Sequence, residues 1–565
     1  MSRPNPSTAM AEVVIDELAR NGVRLVVISP GSRSAALAIA ASRHPGIQSV
    51  VVLDERSAAF HALGRSKVDG FPAVVISTSG TAPANWYPAV IEADMSMTPV
   101  ILVSADRPAE SRGVGANQTI DQVRLFGDKV RWFAEIDAPD QQDMNAGWRG
   151  LICEAVTASR GDGSGPGPVH LNLAFREPTV PVSDDGRTGT DPYAHPIEGR
   201  AGGHPWIEPA PGAPRPSPGR EIPYTPRGLV IAGDGSYHRD RLLEAARALG
   251  WPVLATALSG LRGQDVITCY HHMLAGALPN GLRPELVAAV GHIGPSQRLE
   301  ALIAIADHRV RVDAWGRSID PNRNATLKID WDPVSALASM AGQTRPDPDW
   351  AGAWSKAGAV VRSRLDRCLA DHPGLSGAGV ARTLDRVGWG ALVVASSLPI
   401  REVDAHLTRP GRVIANRGAS GIDGFVSTAL GVASAVPRTL ALSGDLSLLH
   451  DANGFLNDGD GDLTMVVINN DGGGLFDSLP QAAHAPEYER LFLTPQRRDL
   501  ASLARFHGLG YQSAEGLDQL AAIVESRLGS GQESLIEAKV DRSFDLALRR
   551  SLDEAGRSAM AGFNP

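Results

Sequence analysis

Residues 443–474 read SGDLSLLHDANGFLNDGDGDLTMVVINNDGGG, and two places in this stretch could do chemistry together. Asp445 follows a short apolar run, 439–443, and Asn470 follows another, 465–468. Such runs predict buried strands, and ligands of α/β sheets gather at the carboxyl ends of strands. Asp445 and Asn470 lie 25 residues apart, room for one helical crossover. A right-handed βαβ unit then brings both to the same sheet edge. A carboxylate, an amide oxygen and a backbone carbonyl freed by glycine make a hard oxygen set. Such a set suits Mg²⁺ with a diphosphate completing its shell. Gly444, Leu446 and Ser447 would offer amides and a hydroxyl to the phosphate oxygens near a helix N-terminus. GD or NN alone is an ordinary turn. Together, one crossover apart and followed by glycines, they point to a metal–diphosphate site.

The elements that must hold these residues recur along the chain. Apolar runs at 25–28, 50–53, 73–77, 100–104, 229–232, 253–255, 287–290, 392–395 and 412–415 join the two above. They predict strands buried on both faces. Helical patterns separate them, such as 8–21 after the candidate cap Ser7. Strands alternating with helices mean parallel α/β layers. The pattern lapses from about 182 to 227, a Pro/Gly-rich stretch containing EPAPGAPRPSPGREIPYTPRG that reads as a surface linker. A helix over 350–371 stops before Pro373 and Gly374. The predicted organisation is a domain over 1–181, a linker over 182–227, a central domain over 228–345, a helical connection over 346–375 and a last domain over 376–565.

The chain has 565 residues, enough for roughly three or four domains at about 150 residues each. Its formal charge of −9 argues against nucleic acid or an anionic membrane as the main partner. Cys153, Cys269 and Cys368 lie far apart without metal-ligand spacing and read as buried small hydrophobes. Glu12, Asp16 and Glu17 sit among the first apolar residues, unlike a signal peptide. No apolar run approaches the roughly 20 residues that cross a bilayer. A reduced, cytoplasmic protein is the expectation.

The pattern GDL…NN resembles the GDG…NN signature of thiamine-diphosphate enzymes, with Leu446 where the signature has its second glycine. The resemblance covers essentially the whole chain. It implies an α/β fold of three doubly wound parallel-sheet domains: pyrimidine-binding, central and diphosphate-binding. It implies Asp445, Asn470 and the backbone of Gly472 as ligands of Mg²⁺ or Mn²⁺. It also implies an acid against the aminopyrimidine ring, and VVLDERSAAFHALG supplies Glu55 just after a predicted strand. That acid would help form the imino tautomer that deprotonates C2 of the thiazolium, after which the cofactor carries the difficult chemistry. In NRGASGIDG, residues 416–424, Ile422 would bend the cofactor's rings into a V, and the carbonyl of Ser420 would accept from its amino group. The family sandwiches its cofactor between subunits, so a homodimer or a dimer of dimers is implied.

Longer stretches resemble the MenD family, the 2-succinyl-5-enolpyruvyl-6-hydroxy-3-cyclohexene-1-carboxylate synthases of menaquinone biosynthesis. They are SPGSRS (29–34), ISTSGTAPANWYPAVIEA (76–93), SADRPAE (104–110), GANQTIDQ (115–122) and NRGASGIDG. The resemblance implies a transferase acting on 2-oxoglutarate and isochorismate. Each carries two carboxylates, which arginine forks suit. Matched positions are Ser32, Arg33, Arg107, Gln118, Ser397, Arg401 and Arg417. Arg298, in GPSQRLEA, rests on a short match beside Gln297, where some relatives carry Lys. The implied reaction decarboxylates 2-oxoglutarate and adds the resulting carbanion to isochorismate in a 1,4 (Stetter-type) step. Arg401 and Arg417 would hold the oxoglutarate-derived carboxylate, while Arg33, Arg107 and Gln118 position isochorismate. Leu475 and Phe476 would shield the carbanion from water, and Ser397 joins the residues around the cofactor. Two rivals stay open. One is another thiamine-diphosphate 2-oxoacid decarboxylase or synthase. The other is a non-catalytic nucleotide-binding regulatory protein, because LVIAGDGSYHRDRLLEAARALG (229–250) opens like a partial dinucleotide fingerprint.

Overall fold

The computed structural model describes residues 5–564 except 140–144, 146, 162, 182–196, 209–221, 264, 342–345, 460 and 485. The chain divides into two compact units. One comprises 1–212, 416–437 and 447–463, and the other 213–415, 438–446 and 464–565.

The first unit is built on a six-stranded parallel sheet. Its strands are β1 (Leu25–Ile28), β2 (Gln48–Val51), β3 (Ala73–Ser77), β4 (Val100–Asp106), β5 (Phe133–Ile136) and β6 (Pro168–Ala174), in the order β2-β1-β3-β4-β6-β5. Every residue of β1, β3, β4 and β6 is buried, as unbroken Val/Ile/Leu runs require of strands covered on both faces. The run at 50–53 departs from that expectation. Its strand, β2, begins earlier, ends at Val51 and lies at the sheet edge with Val51 exposed. An edge strand has one neighbour, so half its flank faces water.

The helix Pro6–Arg20 is capped by Asn5, whose side chain accepts from the Thr8 amide at 3.0 Å. The expected cap, Ser7, lies inside the first turn and donates to the Arg176 carbonyl at 2.8 Å. Pro6 explains the shift, since its missing N–H and fixed φ suit the first helical position. Much of the predicted linker, 182–196 and 209–221, lies outside the described residues. The part at 197–208 is fastened down. Arg20 Nη2 donates to the Glu198 carbonyl at 2.7 Å, and the Trp206 amide donates to the buried Glu17 carboxylate at 2.6 Å. A Pro/Gly-rich stretch has few backbone partners of its own and borrows side chains instead.

The second unit holds two more parallel sheets. The first contains β7 (Gly228–Ala232), β8 (Val253–Ala255), β9 (Leu286–Val290), β10 (His308–Val312) and β11 (Leu327–Ile329), ordered β11-β10-β9-β7-β8. The second contains β12 (Ala391–Val394), β13 (Arg412–Ile414), β14 (Thr439–Gly444), β15 (Leu463–Asn469), β16 (Gly510–Ala514) and β17 (Ser534–Lys539), ordered β13-β12-β14-β15-β17-β16. The helix Trp350–Ala370 matches the stretch read from the sequence. It packs Trp354, Val361 and Leu365 against Leu548, Leu552 and Met560 of the helix Arg542–Ala561. Cys153 and Cys269 are buried, Cys368 is half-buried, and all three are free thiols. Among the described residues no helix is long and apolar enough to cross a membrane.

Candidate functional site

The strand-end geometry behind the diphosphate reading is present in the second unit. β14 ends at Gly444 and Asp445 begins the helix Asp445–His450, while β15 ends one residue before Asn470. β14 and β15 are neighbours in the sheet, so both ends emerge at one edge. Asp445 is 4% exposed, and its Oδ2 accepts the Gly472 amide at 2.8 Å. Burial pushes its carboxyl up to about 6, against the backbone amides of Gly472 and Leu446 that favour the anion. A nearby cation would reverse that shift. The side-chain oxygen of Asn470 is buried without a hydrogen-bond partner, a costly state for an amide. Gly472 has φ +130°, and a Cβ there would lie 2.2 Å from the Leu493 carbonyl oxygen, so only glycine fits. A Cβ on Gly444 would meet open space, leaving its backbone approachable. An orphaned amide oxygen, a buried carboxylate and a glycine turn together fit a hard cation carrying phosphate oxygens. Beyond them, half-buried Leu475 lies in the short helical turn Gly474–Ser478, and the Phe476 ring lies 5.7 Å from that of Phe492.

Ser397 of the same unit has φ 76° and ψ −127°, a strained conformation for a residue with a side chain. It starts the helix Leu398–His406, and its carbonyl accepts from Arg401 Nη1 at 2.5 Å. Arg298 is engaged elsewhere. It forms a two-pronged pair with Asp553, at 2.9 and 2.6 Å, and also donates to the His271 carbonyl.

The acid expected from the sequence, Glu55, lies in the first unit. Glu55 opens the helix Glu55–Asp69, capped by Asp54. Burial lifts its carboxyl above the ordinary range; its own backbone N–H opposes this, and the Asp54 charge adds to it. The turn behind Glu55 is anchored by Asp451, which is fully buried. Asp451 Oδ2 accepts the amide and hydroxyl of Ser427 at 2.8 and 2.9 Å, and Oδ1 lies 3.5 Å from Arg56 Nη2.

The arginines of SPGSRS and SADRPAE belong together. Arg33 is 8% exposed and gives Nη1 to the Phe175 carbonyl, with Nη2 3.2 Å from Glu177. Burial lowers its pKa, the charge of Arg107 lowers it further, and Glu177 opposes both. The Nε atoms of both arginines are buried without a hydrogen-bond partner. Two like charges with unused donors suit an anion. Ser32 beside them is exposed. A buried network steadies this corner. Asp106 accepts from the Arg107 amide and from Asn172, and Asn172 accepts from Gln122. Gln118, with φ 53°, gives its side-chain amide to the Ser79 carbonyl at 3.1 Å.

The loop 416–424 contributes Arg417, 7% exposed, Ser420 with φ 65°, and half-buried Ile422. Gly424 lies on the Phe60 ring so closely that a Cβ would come within 1.9 Å of it. Ser447 is also buried in this unit. Two anchors escaped the sequence reading. Asp451 sits inside HDANG, and Glu92 inside ISTSGTAPANWYPAVIEA, as unremarked acids.

Residues 8–125 match the family described as "Thiamine pyrophosphate enzyme, N-terminal TPP binding domain". With three parallel α/β sheets and a diphosphate-type strand edge, the fold and site define a thiamine-pyrophosphate enzyme. The chain is 43% identical over 573 residues to the 2-succinyl-5-enolpyruvyl-6-hydroxy-3-cyclohexene-1-carboxylate synthase of Thermobifida fusca, covering 98% of this chain and 100% of that one. It is 38% identical to the enzyme of the same name from Saccharopolyspora erythraea (99% and 100% covered), and 37% identical to that from Rubrobacter xylanophilus (97% and 98%). The chain belongs to the 2-succinyl-5-enolpyruvyl-6-hydroxy-3-cyclohexene-1-carboxylate synthase family, the main reading of the sequence rather than either rival.

Proposed function

We propose that the protein decarboxylates 2-oxoglutarate and joins the remaining four-carbon fragment to isochorismate by 1,4-addition. The products are 2-succinyl-5-enolpyruvyl-6-hydroxy-3-cyclohexene-1-carboxylate and CO₂, in menaquinone biosynthesis. The observation that carries this reading is the full-length likeness to synthases of that name, 43% identical in the T. fusca case. Bound thiamine diphosphate supplies a nucleophilic carbon and an electron sink. Asp445, the side-chain oxygen of Asn470 and the backbone of Gly472 hold a divalent cation, Mg²⁺ or Mn²⁺. Gly444, Leu446 and Ser447 face the phosphates. Glu55, its carboxyl raised by burial, holds a proton against the aminopyrimidine nitrogen. Ser420 would accept from the cofactor's amino group, and Ile422 would give the cofactor apolar support. Arg401 and Arg417 take the oxoglutarate carboxylate. Arg33 and Arg107 share the charge of isochorismate between donors that the folded chain leaves unused. Leu475 and Phe476 keep water from the reacting carbon. We also propose a cytoplasmic homodimer or dimer of dimers with active sites at subunit interfaces.

The test is an assay with thiamine diphosphate, Mg²⁺ and 2-oxoglutarate, with and without isochorismate, reading CO₂ and adduct. Adduct formed only when all components are present is expected. CO₂ release without adduct would favour a simple decarboxylase. No turnover at all would refute the catalytic reading.

A further inference from the structure

The loop 416–424 carries three residues given roles above, yet it is short of secondary structure, and four of its residues are glycine (Gly418, Gly421, Gly424) or left-handed (Ser420). Something must hold it. Glu92, in the helix Tyr87–Met95, is 2% exposed. Its Oε1 accepts the Gly418 amide at 3.0 Å, and its Oε2 accepts the Ala419 amide at 2.7 Å. Lys67 Nζ, from the helix Glu55–Asp69, lies 3.2 Å from the same Oε1. Consecutive backbone amides pointing at one carboxylate make a two-pronged, charge-assisted grip. The fit is tight on the other side as well. A Cβ on Gly418 would lie 2.7 Å from the Ser96 amide nitrogen and 2.8 Å from the Glu92 carbonyl oxygen. The grip falls between Arg417 and Ser420, so it sets where both project.

We propose that Glu92 is a positioning residue for the reaction, with its carboxylate fixing Arg417, Ser420 and Ile422 by clamping the Gly418 and Ala419 amides. Lys67 pairs with that carboxylate and couples the loop to the helix that begins with Glu55. The inference rests on the function proposed above, because it takes Arg417 as a ligand of the 2-oxoglutarate carboxylate. A carboxylate can accept from both amides at once. A carboxamide of the same shape must turn a donor towards one of them.

The test compares Glu92→Gln, the charge-neutral pair Lys67→Met/Glu92→Gln, Arg417→Ala and wild type. The pair guards against a lysine left buried without its counter-charge. In folded protein, hydrogen exchange of the peptide spanning 416–424 should quicken at least tenfold in both Glu92 variants, while the helix Tyr87–Met95 keeps its wild-type rate. The KM for 2-oxoglutarate should rise at least tenfold, in the direction of Arg417→Ala, with the KM for isochorismate within twofold. A purely structural role would lower kcat and leave both KM values alone. Unchanged exchange in the loop, or an unchanged KM for 2-oxoglutarate while Arg417→Ala raises it, overturns the inference. If wild type releases no CO₂, or Arg417→Ala leaves KM unaltered, the functional reading has failed instead; the exchange result then still decides whether Glu92 clamps the loop.

Discussion

Replacing Gly64 by alanine should destabilise the protein, although the same substitution usually stabilises a helix. Gly64 lies in the helix Glu55–Asp69, where it faces the helix Phe425–Ala433. A Cβ at Gly64 would lie 2.1 Å from the Thr428 carbonyl oxygen and 2.9 and 3.0 Å from Thr428 C and Cα. The approach is reciprocal, since a Cβ on Gly431 would lie 2.0 Å from the His61 carbonyl oxygen. Ordinary contact starts at 3.4 Å, so the helices would have to part by about 1.3 Å. The obstructing atoms are backbone and cannot rotate aside. Overpacking of this kind costs about 1–3 kcal/mol, of which the helix propensity of alanine returns about 0.5–1 kcal/mol. A net loss of about 1–2 kcal/mol corresponds to a fall of roughly 2–4 °C in the thermal midpoint of a unit of about 250 residues. The comparison is Gly358→Ala, inside the helix Trp350–Ala370, where the nearest atoms to a Cβ are Ile267 carbons at 3.6 Å. That variant should gain about 0.5–1 kcal/mol. Calorimetric midpoints of the two variants should therefore move in opposite directions. Gly64→Ala should also lose activity, because Glu55 begins the same helix and the loop 416–424 leads into its partner. A shift of about 1 Å in a positioning element can cost roughly 100-fold in rate. If Gly64→Ala raises the midpoint as Gly358→Ala does, the two helices are not in backbone contact and the reasoning fails.

Other outcomes follow from the same geometry. Glu55→Gln should retain cofactor binding by titration yet lose most turnover, and near-normal CO₂ release would contradict the role given to Glu55. Arg417→Ala should raise the KM for 2-oxoglutarate by at least tenfold, whereas equal kinetics for both substrates would count against its placement. His61 gives a pH dependence: its imidazole is fully buried, and burial lowers its pKa from 6.5 to about 4, helped by Arg65. The folded pKa lies below the unfolded one, so the unfolded chain binds the proton first. The stability contributed by neutral His61 is present above pH 6.5 and is lost as the pH falls towards 4, by on the order of 3 kcal/mol. His61→Leu should flatten the midpoint-against-pH curve across that window, and a slope equal to wild type would exclude His61 as its source.

The sequence by itself determined the parallel α/β class. Unbroken Val/Ile runs such as 73–77 can be stable only with helices on both faces, and β3 is buried along its whole length. It also determined that Asp445 and Asn470 stand at strand ends, because a chemical signature and a strand boundary coincide within a few residues there. Local chemistry misled where a neighbour outside the local window decided the outcome. The run at 50–53 looks like a core strand, but its place at the sheet edge exposes Val51. Ser7 has the chemistry of a cap, but Pro6 draws the helix start back to Asn5. Arg298, expected from a short match to contact substrate, is paired in the fold with Asp553, 255 residues later, a partner no local pattern announces.

Only the tertiary structure decided which ordinary acids matter. In sequence Glu92 is one helical glutamate among many, and its partners at 67, 418 and 419 are distant along the chain. Gly64 and Gly431 likewise read as weak points in two helices until the fold presses them against backbone. Periodicity and strand-end motifs record what each segment wants for itself. The clamp on the loop, the facing arginines and the glycine contact depend on which segments meet. That is set by the packing of whole layers, and no local pattern encodes it.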